Sequence, residues 1–486
     1  MIYLTSCLNK RLRAIVPAML LAALLTGCTG RPSGPLPLRI DAVAITAEGS
    51  VARRDALQVN CLSSGGQGEL NYDFRIEKNG VESRVQRGRS SELHWIPKEP
   101  GDYRLRVMAE DAAGTFAESG WSNNYRFEPP LSANARYAVL PVENLSDSKA
   151  PLQEIHARLV ATLAESGLQI LNADILEGFM QKHRIRHVGG LNSANSRQLR
   201  DELKVDGVVI SALETWHAEV PPRVSLITRV VTTGRDPEII WMDSVGLAGD
   251  AAPGLLGLGR VNDVRQLLNT GLKRLADSFQ NCLAGRSPGY RHGLGGQGPR
   301  LLNGETKTAD EALGPLKNGH WPKYTFRSPS FDPSREYRVA VVPFLNVNAR
   351  KHAGTIVSLH LVKQLNRYEN LRIVEPGQVR DILLRYRMIM RTGPSLAAAD
   401  VLADARILGA QLIISGKVFD YQDAIGESKV DFSMQAFDGD QRQVIWTSHS
   451  YARGNDGVYF FDRGRIPTAH GLAGPMAEAA IQLLQE

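Results

Sequence analysis

Apolar and polar residues alternate in short runs over the first quarter of the chain, from about residue 38 to residue 128. The clearest runs are 57–61, 72–76 and 103–108. Each run places every second side chain on one face, which is the pattern of a half-buried β-strand. Turn residues such as Asn79-Gly80 separate the runs. The pattern predicts an all-β sandwich over residues 38–128.

Beyond residue 130 the pattern changes to apolar strands without alternation, and these are followed by segments with helical spacing. Ile155, Leu159 and Leu163, for example, recur on one helical face. The predicted order is strand, helix, strand, helix and strand, followed by an antiparallel hairpin and a closing helix. The predicted hairpins are 224–232 with 238–245 and 430–437 with 443–450, and the closing helices are 264–279 and 472–484.

This series of elements occurs twice. Tyr137-Ala-Val-Leu-Pro141 returns as Val339-Ala-Val-Val-Pro343, at an offset of 202 residues (343 − 141). Ile239-Ile-Trp241 returns as Val444-Ile-Trp446, at an offset of 205 residues (446 − 241). A nearly constant offset indicates a duplicated domain. We therefore predict two α/β domains, each a mixed sheet with helices packed on it, at 135–283 and 335–486. The Gly- and Pro-rich residues 284–334 between them are predicted to be a linker, with local order around Trp321 and Tyr324.

The amino-terminal segment has the pattern of an export signal. Three basic residues precede an uncharged apolar run over residues 14–25. A run of about a dozen residues suits a signal peptide and is too short to span a bilayer. We predict a signal peptide at residues 1–27.

Composition adds little about partners. The 486 residues carry a formal charge of +6, which falls to +3 (6 − 3) once the three basic residues of the signal leave. So small an excess gives no reason to expect a nucleic-acid partner. Of the four cysteines, only Cys61 and Cys282 would remain unmodified. They could pair in an oxidising compartment, but they lie in different predicted domains. Two separate buried thiols are favoured, because Cys61 continues the apolar alternation of Leu57 and Val59.

The end of the apolar run carries a resemblance. The residues Leu25, Thr26, Gly27 and Cys28 resemble the lipobox of bacterial lipoproteins. The resemblance implies cleavage before Cys28 and acylation of its thiol, with acyl chains such as palmitate, and it makes 28–37 a lipidated spacer. Thr29 after the cysteine implies an anchor in the outer membrane, facing the periplasm. The alternative is an ordinary secretory signal that happens to contain a cysteine.

The duplicated segments carry a second resemblance. Their strand motif at 137–141, the segment Leu408–Gly416 and the Val-Ile-Trp motif resemble envelope lipoproteins of the family that includes the curli secretion channel (CsgG-like) and the activators of peptidoglycan synthases. Trp95-Ile96-Pro97 and the segment 110–114 resemble bacterial immunoglobulin-like modules. The implied architecture is an immunoglobulin-like sandwich followed by two CsgG-like α/β domains. The predicted hairpin strands are short and their apolar positions are needed for the core, so we expect no pore.

Two motifs that would indicate catalysis are missing, because the sequence has no HExxH and no Walker-type G-K-[ST]. Its one G-x-S-x-G match, at residues 285–289, falls in the predicted linker. His183 and His187 would share one helical face if a helix extended that far, but we interpret them as a solvated basic helix end. We therefore expect a protein that is not an enzyme and has no cofactor and no metal.

Two matched loops before the closing helices are candidates for partner contacts. Arg260 and Arg465 occupy equivalent positions in these loops. Each is either a contact to an anion or a partner protein, or a residue of a turn that caps the fold. The same loops contain the apolar residues Leu255, Leu256, Tyr459 and Phe460. These side chains either form a surface that contacts a partner or pack onto the edge of the hydrophobic core.

The leading functional hypothesis is a noncatalytic, lipid-anchored protein that binds or helps to assemble other envelope proteins. The sequence leaves open whether the protein also forms homo-oligomers. The alternative is a subunit of an outer-membrane secretion complex of the curli type, and the missing motifs argue against a third class, an enzyme that acts on the cell wall.

Overall fold

The computed structural model describes residues 36–46, 50–52, 57–95, 97, 101–128, 131–234, 236–251, 260–284, 320–368, 370–388, 395–424, 427–456, 458 and 465–485. Over these residues the chain is a multidomain, mixed α/β protein with several sheets and eight α-helices. None of the helices in the described ranges is long and apolar enough to cross a membrane.

Two β-sheets form the amino-terminal region and share one core. The strands are β1 (Arg39–Thr46), β2 (Ser50–Ala52), β3 (Leu57–Ser64), β4 (Asn71–Lys78), β5 (Val81–Gly88), β6 (Glu92–Trp95), β7 (Gly101–Glu110), β8 (Phe116–Glu118) and β9 (Tyr125–Glu128). One sheet has the order β1-β3-β6, and the other has the order β2-β9-β7-β4-β5, with β8 paired to β7. Alternate side chains of β3 and β7 are buried between the sheets. The predicted alternation is confirmed in these strands.

The first α/β unit comprises residues 131–284. Its elements are β10 (Arg136–Val139), β11 (Glu143–Asn144), α1 (Leu152–Glu165), β12 (Gln169–Ile170), α2 (Ala173–Lys182), α3 (Ser193–Leu203), β13 (Gly207–His217), β14 (Arg223–Thr232), β15 (Ile239–Ala248) and α4 (Val264–Leu283). The strand order is β12-β10-β13-β14-β15, parallel at β10 and antiparallel in the hairpin. Helices α1 and α4 cover one face of this sheet, because their apolar sides share a core with its strands.

The second α/β unit comprises the described residues from 320 to 485. Its elements are β16 (Tyr324–Arg327), β17 (Tyr337–Val341), β18 (Leu345–Asn346), α5 (Ala353–Leu365), β19 (Leu371–Ile373), α6 (Pro376–Arg385), α7 (Leu396–Ala403), β20 (Leu412–Ala424), β21 (Glu427–Asp438), β22 (Gln443–Arg453) and α8 (Ala469–Gln485). The strand order is β16-β22-β21-β20-β17-β19. Apart from the edge strand β16, this is the order of the first unit.

Helices α5 and α8 lie between the two sheets. They pack on the sheet of the second unit and share one core with the free face of the first sheet, including Ile210, Ala212 and Ile227. All but one residue of α5 is buried, so this helix has no solvent face. We call this contact between the two units the seam.

The helix and hairpin predictions are largely confirmed, with ends that differ by a few residues. The closing helix of the first unit extends to Leu283 rather than to residue 279. Helices α3 and α7 were not predicted, and strand β16 falls within the predicted linker, close to Tyr324, where local order was expected.

Candidate functional site

Most of the residues singled out in the sequence lie outside the described residues. These are Leu25, Thr26, Gly27, Cys28, Leu255, Leu256, Tyr459 and Phe460. Arg260 is described and exposed, three residues before the cap of α4. Arg465 is half-buried, four residues before α8 begins. The structure therefore places both arginines ahead of the closing helices.

The two histidines near α2 do not share a helical face. Helix α2 ends at Lys182, and His183 caps it. His183 contacts Glu202, with 2.8 Å between Nε2 and Oε1. His187 lies 3.8 Å from Glu143 instead. The two imidazoles therefore contact different carboxylates.

The two cysteines are separate thiols. Cys61 is buried in the core of the amino-terminal sheets, as predicted, and burial raises the pKa of its thiol to about 11. Cys282 is only half-buried, at the end of α4, so the expectation of a buried thiol is wrong there. The cause is its position in the last turn of α4, one residue before the helix ends at Leu283.

A cluster of polar side chains is buried in the seam. Glu214 of β13 points from the first unit toward His360 of α5 and His470 of α8. The distance from Glu214 Oε2 is 3.3 Å to His360 Nε2 and 2.5 Å to His470 Nδ1. Tyr421 of β20 donates its hydroxyl to Glu214 Oε1. Glu214 and His360 are 0 % exposed, so the second unit closes its side chains over a carboxylate of the first.

Burial and the neighbouring charges shift the pKa values of three groups in this cluster. Burial alone would raise the pKa of Glu214, but the nearby imidazoles outweigh it and hold that pKa well below its usual range. Burial lowers the pKa of His360, although the negative charge of Glu214 acts in the opposite direction and raises it. Burial, assisted by the Glu214 charge, raises the pKa of Tyr421 well above its usual value. Glu214 is therefore an ionised acceptor, and Tyr421 keeps its proton as a donor.

An ion pair also crosses the seam. Arg229 of β14 donates from Nε and Nη2 to the two oxygens of Glu375, at 2.9 and 2.7 Å. Glu375 also accepts the backbone N–H of Leu191, at 3.1 Å. Both charged side chains are at most 1 % exposed. The bidentate geometry fixes the orientation of the two units at this point.

The second sheet has a face that no described helix covers, and we call it the open face. It joins β16, β22, β21 and β20, beside the part of the sheet that α6 and α7 cover. Its side chains are exposed or half-buried: Tyr324, Phe326, Lys417, Phe419, Asp431, His449 and Tyr451. The rings of Tyr324 and Phe419 lie 6.5 and 5.6 Å from that of His449, between centroids. His449 Nε2 lies 2.7 Å from Asp431 Oδ1.

The matching face of the first unit is the one that α5 and α8 bury. At the offset of 205 residues, Ala212 and Glu214 correspond to Lys417 and Phe419, and Gly246 corresponds to Tyr451. Where the first unit has small or buried residues, the second unit thus has exposed or half-buried polar and aromatic ones at this offset. The open face can make hydrogen bonds, ion pairs and aromatic contacts with a partner.

Sequence reasoning missed the seam cluster and the open face. Glu214 lies 146 residues from His360 and 256 residues from His470 in the sequence. No sequence motif connects positions so far apart. A signal for the open face was present, because polar and apolar residues alternate regularly along β21 but not along β14.

No protein-family model and no curated protein sequence matches this chain. Several solved structures are similar to part of it. A PelC dodecamer from Paraburkholderia phytofirmans is 17% identical, with a TM-score of 0.23, and the match covers 33% of this chain and 96% of that one. Lipoprotein GNA1162 from Neisseria meningitidis is 20% identical, with a TM-score of 0.22, over 30% of this chain and 98% of that one.

The C-terminal domain of LpoB from Salmonella enterica is 18% identical, with a TM-score of 0.21, over 24% of this chain and 84% of that one. TM-scores in this range do not establish a shared fold, so the family and the function of this chain rest on its own residues.

Proposed function

We propose that this chain is a noncatalytic, lipid-anchored envelope protein that binds other envelope proteins or helps to assemble them. The open face is the observation that carries the proposal. An exposed set of aromatic side chains beside charged ones is typical of a protein-binding surface, since the few residues that carry most of the binding energy at interfaces are enriched in Trp, Tyr and Arg.

The domain organisation belongs to the same proposal. The signal peptide at 1–27 and the lipidated spacer at 28–37 would anchor the chain to the outer membrane through Cys28, facing the periplasm. The two sheets of the amino-terminal region would be an immunoglobulin-like module that spaces the rest from the lipid. The two α/β units would be CsgG-like copies of one domain, an inference supported by their common strand order.

The occupant of the open face is a helical surface of another envelope protein. The matching face of the first unit holds two helices, α5 and α8, which shows that a sheet of this shape can accept a helix pair. Lys417 is exposed on the open face, so a partner helix with an acidic side chain at that point would fit.

Photocrosslinking from two positions of the open face tests the proposal. Phe419 and Tyr324 are 43% and 74% exposed, and each would be replaced in turn by a photoreactive phenylalanine analogue in the full-length, lipidated protein. Ile175 on α2, which is 48% exposed, is the matched control away from this face. We expect both open-face positions to give crosslinks to the same envelope protein, identified by mass spectrometry, and Ile175 to give none to it.

A binding measurement completes the test. The purified partner should bind the wild-type chain and lose binding to the variant with Tyr324→Asp and Phe419→Asp, because both changes put charge into an aromatic contact. Crosslinks that are equal at Ile175, or unchanged affinity of the double variant, would reject the open face as the binding surface.

A further inference from the structure

The seam cluster has the donor set of a transition-metal site. It contains one carboxylate and two imidazoles, from Glu214, His360 and His470, and their ligand atoms all lie within 4.8 Å of one another. Nitrogen from His and oxygen from Glu are ligands that Zn²⁺ binds, at roughly 2.0–2.2 Å. All three residues are buried.

At one of the two contacts of Glu214 with a histidine, the distance fits a pair of metal ligands better than a hydrogen bond. Charge-assisted N–H···O bonds are about 2.7–2.9 Å long, whereas His360 Nε2 lies 3.3 Å from Glu214 Oε2. In a tetrahedral site with bonds of 2.0–2.1 Å, neighbouring ligand atoms are about 3.3 Å apart. When an ion binds, the His470 contact at 2.5 Å would have to widen by somewhat less than about 1 Å, and the two imidazole nitrogens, within 4.8 Å of each other, would have to approach to about 3.3 Å.

The surroundings of the cluster resemble the support that metal ligands need. Tyr421 donates its hydroxyl to the second oxygen of Glu214 and so orients the carboxylate. A Cβ on Gly246 would lie 2.4 Å from His470 Cδ2, so the ring of His470 fits closely against the backbone of β15. The imidazole centroids are 4.8 Å apart and the ring planes are inclined at 63°, so the two rings pack edge to face beside Glu214.

We propose that Glu214, His360 and His470 bind one Zn²⁺ ion in the seam, as a structural site that joins the two α/β units. The site draws ligands from three elements, β13 of the first unit and α5 and α8 of the second. All three residues are buried, so solvent does not reach the cluster freely. The chain supplies three ligands, and one trapped water molecule would complete the tetrahedron. The inference does not depend on the proposed binding function.

Metal analysis of the full-length protein tests the site. The chain would be extracted in detergent from cells grown with added zinc and purified through a tag that contains no histidine. We expect elemental analysis to find about one zinc ion per chain, and His360→Gln and His470→Gln each to lower this below about a tenth. Tyr421→Phe keeps all three ligands, so it should retain zinc with an affinity about 10–100-fold weaker.

His449→Gln is the matched control, because His449 also contacts a carboxylate but lies on the open face. It should keep the zinc content of the wild type. A second readout avoids the variants: the wild-type chain, stripped of metal and given Co²⁺, should show the visible absorption of tetrahedral cobalt. Zinc-free wild-type protein without this absorption, or full zinc content in folded His360→Gln and His470→Gln, would overturn the proposal.

Discussion

Arg229 and Glu375 form an ion pair that is closed to solvent in the seam, with two hydrogen bonds between them. Removing one partner of such a pair leaves an uncompensated charge in the interior. We expect Glu375→Gln to lower the free energy of unfolding by about 3–5 kcal/mol. Urea denaturation followed by tryptophan fluorescence measures this.

An exposed ion pair provides the comparison. Arg335 and Asp440 lie 3.1 Å apart, and their side chains are 44% and 60% exposed. Asp440→Asn should change stability by less than about 1 kcal/mol, because solvent screens the pair. Equal effects of the two substitutions would mean that Glu375 is not buried against Arg229.

The residues of the seam could not be predicted one by one. Glu214 lies in β13, whose first residues are mostly apolar, and its partners lie in the second α/β unit. Local pattern shows which positions are buried, but a contact over 146 residues depends on how two folded units meet. Cys61 was predictable, because it continues the alternation of β3.

At the scale of elements, two chain segments approach each other without side chains between them. The segment after α2 contains Gly190, and α6 begins at Pro376-Gly377. A Cβ on Gly190 would lie 2.6 Å from the Cα of Gly377. Backbone cannot move aside as a flexible side chain can, so only glycine fits at this contact.

We expect Gly190→Ala to destabilise the protein by about 1–3 kcal/mol, since the added methyl group overpacks this contact. Gly178 in α2 has nothing within 4 Å of an added Cβ. Gly178→Ala should instead stabilise the helix by about 0.5–1 kcal/mol. Melting temperatures of the two variants should therefore move in opposite directions, and a joint rise would contradict the close approach.

Most elements of the α/β units could be predicted, because their apolar positions have clear periods. Helix α1, with Ile155, Leu159 and Leu163 buried, is one example. Helix α3 was missed because only one of its apolar residues, Leu199, is buried, so it has no apolar stripe to recognise. Strand β16 was missed because its short segment gains order only by pairing with β22.

At the scale of the whole molecule, the lipid at Cys28 would be the membrane contact of the chain. Because each buried CH₂ contributes about 0.8 kcal/mol, several acyl chains make a stable anchor. We expect Cys28→Ala to shift the protein from the membrane fraction to the soluble fraction while it stays folded. Cell fractionation and circular dichroism measure the two properties.

Cys282→Ser is the control for loss of a thiol elsewhere in the chain, and it should leave the protein on the membrane. Retention of Cys28→Ala in washed membranes would show that another part of the chain holds it there.

The position of α5 between the two sheets also sets an order in which the molecule can fold. Ala353, where α5 begins, follows Ala248 at the end of β15 by 105 residues (353 − 248). At about 5–20 residues per second, a chain growing from its amino end needs roughly 5–20 s to make that stretch. During this time the face of the first sheet with Ile210 and Ile227 lacks α5 and α8, so the first unit completes its interior only when the second one arrives.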